Sequence, residues 1–351
     1  MPQPSQPSVS GLSVSGLRLA IFALLFIALT AAGLWVVSQQ FAQDKLSFDH
    51  RLLEPGILLA VGSLLIVYFA SDGLRLYFTL RALGYRVRLT AITRLVFINI
   101  FFSNITPMAT GGGFAQIWYL QKQGVPIGFA TAATTIRTVL AVVFIFSLAP
   151  LFILALPALQ NLPLMNRLSG AIVVFVALYL GLFALIVFRT HWLIPPLDRL
   201  LALLCRLHLI NPRRYRHLQF RLRREILRFA RSFGYYLRGD RRFVWLSVLF
   251  TLLFLMCLFS FPWLLIQALD YDVAWTTTTG LLVVTTFIMY FSPTPGASGI
   301  SEGVFGSFFR DILGGSHLML VTVAWRVVTI YIGMVIGLLL LQRDLIKGRK
   351  S

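Results

Sequence analysis

The chain has 351 residues, 58% of them hydrophobic and 12% charged, with a mean hydropathy of +0.82. A soluble domain carries roughly 25% charged residues, so this composition excludes a water-soluble protein. The formal net charge of +19 and the isoelectric point near 11 then read as membrane topology rather than nucleic-acid binding.

Residues 1–17 are rich in Ser, Pro and Gly and predict a disordered cytoplasmic tail. The first apolar run, 18–39, is too long for a signal-peptide core and has no convincing cleavage site, so it reads as an uncleaved span. Further full spans are predicted at 56–80, 127–156, 168–189, 243–268 and 317–341, each near or above the roughly 20 residues that cross a bilayer as helix. Two other apolar stretches, 91–120 and 275–313, are interrupted by glycine and proline, and each reads as two half-helices forming a re-entrant hairpin. The expected fold is an all-α polytopic membrane protein with about six full spans and two re-entrant helical hairpins in an inverted-topology repeat. Its parts are a first membrane half (18–156), a fourth span with its outer loop (157–188), a basic amphipathic cytoplasmic segment (189–242), a second half (243–342) and a basic tail (343–351).

Charge sets the expected orientation. With the N-terminus inside and both hairpins returning to the side they enter from, 25 of the 31 Lys and Arg residues fall on the cytoplasmic face, Arg75 among them. Lys45, Arg51, Arg167 and Arg310 fall outside, and Arg137 and Arg326 fall within the membrane. If each broken segment crossed fully, the basic stretch would stay inside but Lys122 would move outside. Within 189–242, Tyr215, Leu218, Leu222, Ile226, Phe229, Phe233 and Tyr236 recur at helical spacing among 14 arginines. This suits a helix on an anionic leaflet, with lipid recruitment or partner docking as sharper readings.

The two breaks carry one motif twice. The first copy is Thr106-Pro107-Met108-Ala109-Thr110-Gly111-Gly112-Gly113-Phe114-Ala115-Gln116, and the second is Thr294-Pro295-Gly296-Ala297-Ser298-Gly299-Ile300-Ser301-Glu302. Each is followed by a lone arginine in an apolar stretch: Pro107 to Arg137 is 30 residues, and Pro295 to Arg326 is 31. Matching Gly/Pro interruptions in two halves point to the binding site of a repeat-built transporter. Thr106, Pro107, Gly111, Gly112, Gly113 and Gln116, with Thr294, Pro295, Gly296, Ser298, Gly299 and Glu302, are therefore the candidate substrate-binding residues around Arg137 and Arg326.

A mid-membrane arginine costs about 2.5–3.5 kcal/mol on insertion scales, so each needs a partner. Either it is a structural pair or it serves an anion, and guanidinium suits phosphate because its fork donates two parallel hydrogen bonds. Glu302 has the same two readings, a salt bridge to Arg326 or a coupling carboxylate. The glycines either pack helices closely or expose amides to an anion. Asp72 and Arg75, three residues apart, read as a local ion pair near a helix end. No paired-acid, Walker, nucleophile-elbow or metal-ligand motif occurs, and Cys205 and Cys257 have no zinc or disulfide spacing, so no cofactor, no metal and no catalysis are expected.

The stretch 104–124, Arg137, the stretch 293–303 and Arg326 resemble the lysylphosphatidylglycerol synthase transmembrane family of flippase-like membrane proteins. The likeness covers about residues 20–345. It departs at Ala297-Ser298, where the family more often has a second glycine, and in the arginine-rich 189–242 segment. The resemblance implies a bacterial inner-membrane protein that moves a phospholipid or other phosphate-bearing lipid, and the charge bias expects both termini in the cytoplasm. It implies membrane lipids as partners, with a separate lipid-synthesis enzyme as a further one; the family's bifunctional synthases add an aminoacyl-transferase domain, which is not expected here because the chain ends ten residues after its last span. The alternatives are a membrane-embedded lipid-modifying or glycosyl-transfer enzyme with Glu302 as base, and a non-transporting partner that presents lipid.

Overall fold

In a computed structural model, the described residues are 49–160, 163–188 and 231–348, with scattered positions in 24–31 and 195–227. Among them the architecture is all-α, with no strand. The helices are α1 (Pro55–Ala82), α2 (Leu89–Ile105), α3 (Thr110–Lys122), α4 (Ile127–Ala155), α5 (Pro163–Phe188), α6 (Arg241–Gln267), α7 (Trp275–Met289), α8 (Ile300–Phe309), α9 (Gly315–Arg326) and α10 (Ile332–Gly348). Helices α1, α4, α6 and the continuous rod of α9 and α10 are each long and apolar enough to cross a membrane. Helix α5, at 26 residues, matches the span expected at 168–189. The protein is a polytopic α-helical membrane protein. The span expected at 18–39 and most of the basic segment lie outside the described residues.

Helix α1 begins with Pro55, which loses nothing by lacking an amide hydrogen in the first turn. It runs antiparallel to α6, with Tyr68 stacked on Phe254 (4.9 Å between ring centres) and Phe78 on Phe250 (5.4 Å). One apolar core gathers Leu80, Val87, Leu120, Val125 and Tyr236; the other gathers Leu52, Leu159, Leu269 and Leu313. These cores occupy opposite ends of the long helices.

The two interrupted stretches are helical hairpins. The first is α2, a turn at Pro107–Ala109 and α3; the second is α7, a turn at Pro295–Ala297 and α8. The base of the first lies in the core of Val87 and Val125, and the base of the second lies in the core of Leu269 and Leu313. Their tips touch. The turns share a backbone: Met108 and Gly296 have φ of 53° and 57°, and the alanines that follow, Ala109 and Ala297, have 53° and 54°. Two successive left-handed residues reverse the chain sharply where proline has already removed a helical hydrogen bond.

The α9–α10 rod touches both hairpins. Trp325 of α9 stacks on Phe305 of α8 at 4.9 Å. In α10, Gly333 and Gly337 face Ile100 and the carbonyl of Phe97 on α2, where an added methyl group at Gly337 would overlap that carbonyl. Small residues four apart let helix backbones approach this closely. Between the two contacts lies a π turn, Val327–Tyr331.

Within the basic segment, residues 231–238 are helical. Phe233 and Tyr236 there are buried in the first core, and Tyr236 Oη lies 2.5 Å from Ser247 Oγ on α6. At this end the apolar face packs on the helix bundle.

Candidate functional site

A cavity of about 830 Å³ lies between the hairpin tips. Its walls come from the first turn and α3 (Met108, Gly113, Phe114, Gln116), from α4 (Thr134 to Ile145), from α6 (Phe254, Leu258), from the end of α7 (Tyr290) and from the second turn (Thr294, Gly296). The α4 and α6 positions fall near the middle of their helices, so the cavity sits at mid-depth. Met108 and Phe114 line it while remaining 66% and 62% exposed, which puts an opening beside the first hairpin.

Its charged wall is a triad. Arg137 Nη2 donates to Asp72 Oδ1 at 2.5 Å, and Arg75 Nε donates to the same oxygen at 2.7 Å. Arg75 also lies over the Phe254 ring, 3.7 Å from its centre. All three residues are buried, and both arginines line the cavity. One carboxylate cannot neutralise two guanidinium groups, so a positive charge remains. Donors remain as well: among the described residues, Arg75 Nη1 and Arg137 Nε have no hydrogen-bond partner. A buried donor left unsatisfied costs roughly 1–3 kcal/mol and more when charged, and an anion in the cavity would offset that cost.

Sequence reasoning paired Asp72 with Arg75 and placed Arg75 on the cytoplasmic face. The structure corrects the second point. Arg75 is buried on the cavity wall, because α1 meets α4 here and Asp72 bridges the two helices. An acid and an arginine together inside a largely apolar 28-residue span were the available signal.

Arg326 is placed differently. It is fully buried, its Nε lies 2.8 Å from Glu302 Oε1, and its Nη2 donates to the Gly296 carbonyl at 3.0 Å. The Nε contact is one of charge rather than a well-aimed hydrogen bond. Glu302 Oε2 accepts from the Gly299 amide at 2.7 Å and from Ser301 Oγ at 2.8 Å, capping α8. Its charge also suits the positive end of that helix. This neutral pair clasps the second tip to α9, and neither residue lines the cavity.

The remaining candidates divide. Thr106 Oγ1 accepts from the Gly111 amide at 2.8 Å, taking the capping role in the first hairpin that Glu302 takes in the second. Pro107 starts the first turn. Gly111 and Gly112 pack against α2: a methyl on Gly111 would come 2.6 Å from Thr106 Cγ2, and one on Gly112 would overlap Ser103 Oγ. Gly113 faces open space on the cavity. Gln116 lines the cavity and donates to Asn99 Oδ1 at 2.5 Å, while its own Oε1 has no partner among the described residues. In the second turn, Thr294 Oγ1 donates to the Ser298 carbonyl at 2.9 Å, and Thr294 and Gly296 reach the cavity. Pro295, Ser298 and Gly299 are structural parts of that turn.

A model of the lysylphosphatidylglycerol synthase TM region matches residues 15–337, a range that holds both hairpins, the cavity and both arginines. The chain belongs to this family. It is also similar to a UPF0104 membrane protein of Archaeoglobus fulgidus, at 22% identity over 328 residues, covering 93% of this chain and 97% of that one. Among the described residues, no group of His, Cys, Asp and Glu is arranged to hold a metal ion.

Proposed function

We propose that this protein translocates a phosphate-bearing lipid between leaflets, with the phosphate held by Arg137 and Arg75 and the acyl chains left in the bilayer. The observation that carries this reading is the mid-depth cavity with one uncompensated positive charge and spare guanidinium donors. The opening beside Met108 and Phe114 suits a lipid, whose chains need a sideways exit. Hairpins based at opposite ends with touching tips suit an inverted repeat of re-entrant segments, which gives a central site similar access from either side. Arg81, Arg86, Arg88, Lys122, Arg241 and Arg242 cluster at the end where α1 finishes and α6 starts. By the positive-inside rule this end is cytoplasmic, in a bacterial inner membrane as the family resemblance implies.

Catalysis with Glu302 as base is less well supported. Both its oxygens are engaged, and it is walled off from the cavity. The test is reconstitution of the full chain in liposomes with a fluorescent phosphatidylglycerol and a membrane-impermeant quencher. Protein-dependent quenching of the inner-leaflet probe is expected, and it should be lost in Arg137→Ala at equal folded yield. Inner-leaflet probe that stays protected at the rate of empty vesicles would refute translocation.

A further inference from the structure

Resting on that reading, we infer that the headgroup is an uncharged, hydroxyl-bearing one on a phosphodiester, and that the cavity discriminates against lipids carrying an ammonium group. Three observations converge. First, among the described residues no acid lines the cavity, and Asp72 behind it is shared between two guanidinium groups. The run 18–39, outside the described residues, contains no acidic residue either. An ammonium brought beside Arg75 and Arg137 would meet like charge and no carboxylate free to pair with it. The Phe254 face, which could receive a cation, is already covered by Arg75.

Second, the polar lining of the cavity beside the arginines presents neutral acceptors. Gln116 is buried, and among the described residues its Oε1 has no donor. The hydroxyls of Thr134 and Thr138 donate to helix carbonyls of Ala130 and Thr134, which leaves their lone pairs for an incoming O–H. Asn104 likewise spends its amide on the Ile100 carbonyl and keeps its oxygen. Third, the one uncompensated positive charge matches the single negative charge of a phosphodiester. Donors for phosphate and acceptors for hydroxyls in one cavity describe a polyol phosphodiester such as a phosphoglycerol headgroup.

The test is a binding measurement on the purified full-length protein, so it stands whether or not lipid moves. Thermal unfolding is followed with short-chain phosphatidylglycerol, with phosphatidylethanolamine and lysyl-phosphatidylglycerol of the same chains, and with deacylated glycerophosphoglycerol. Phosphatidylglycerol should bind at least about tenfold more tightly than either ammonium-bearing lipid, since like-charge juxtaposition costs more than a factor of ten. Gln116→Glu, which keeps the shape and adds the missing carboxylate, should shift the ratio toward the ammonium-bearing lipids. Equal or tighter binding of those lipids by the unaltered protein would overturn the inference. Equal binding of the deacylated compound would overturn its lipid part, assigning the site to a soluble phosphodiester. Selective binding of phosphatidylglycerol without translocation would refute the proposed transport while leaving the headgroup assignment standing.

Discussion

The two hairpins share a turn, a reversal and an arginine 30 or 31 residues downstream, yet the arginines have opposite surroundings. Arg326 has one carboxylate to itself and is sealed in the protein. Arg137 shares a carboxylate with Arg75 and faces the cavity. The lesson is about redundancy. If Arg326 is lost, Glu302 is stranded; if Arg137 is lost, Asp72 still has Arg75. A residue whose removal leaves the buried charges balanced is free to serve a ligand, and one whose removal unbalances them is committed to the fold.

The sharpest way to break this comparison is at Glu302. Glu302→Ala should leave Arg326 uncompensated and α8 uncapped, costing about 3–5 kcal/mol of stability. The check is the melting temperature in detergent. The double variant Glu302→Met with Arg326→Met should recover most of the loss, because replacing a buried pair with apolar groups is often neutral. No recovery would mean that the pair does more than clasp the tip.

Next in size is Arg137. Arg137→Ala should melt close to the unaltered protein but lose roughly tenfold or more in anionic-lipid binding, the worth of about 1.5–3 kcal/mol in hydrogen bonds to a charged group. Arg137→Lys should retain part of that binding, since it keeps charge without the fork. A melting loss at Arg137→Ala equal to that at Glu302→Ala would erase the distinction between the hairpins.

A third contrast uses glycine. Gly112→Ala should force α3 from α2 and cost about 1–3 kcal/mol by overpacking, whereas Gly303→Ala on α8 has open space around it and should be neutral or slightly stabilising. Equal melting temperatures would show that the first hairpin yields more readily than its packing suggests.

The smallest expected effect is at the base of the second hairpin. There Arg51 bridges Asp49 and Asp270, both at 2.6 Å, and Tyr271 Oη lies 2.9 Å from His317 Nδ1. The hydrogen bonds from Arg51 hold the Asp49 carboxyl at about 2, below the ordinary 3.8. The contribution is therefore fully present above pH 3.8 and is lost as pH falls toward 2. Asp49→Asn should flatten that part of the melting profile at low salt only, because the pair is open to solvent and screened. A profile unchanged by the substitution would leave the cluster no part in holding the hairpin base.

The hairpins were legible because proline and glycine act locally: Thr-Pro followed by small residues specifies a break wherever it occurs. The four long apolar helices were legible from length and hydropathy alone. The triad was not. Asp72 and Arg75 explain one another at a spacing of three residues, and nothing in one helix says that Arg137, 65 residues away, lies at the same level. The glycine run was also read as one unit. Consecutive helical residues point about 100° apart, so Gly112 meets Ser103 while Gly113 faces the cavity.

The π turn at Val327–Tyr331 has a consequence for how the rod is phased. Such a turn amounts to one extra residue in an α-helix, which rotates everything beyond it by about 100°. In front of it Trp325 and Arg326 address the second hairpin, and behind it Gly333 and Gly337 address the first. Tightening the turn to a regular α-helix with every residue kept would swing one of these faces off its hairpin, whereas deleting one residue there would absorb the bulge and leave both faces in place. The wide turn thus sets the phase at which one continuous rod meets two unlike hairpins.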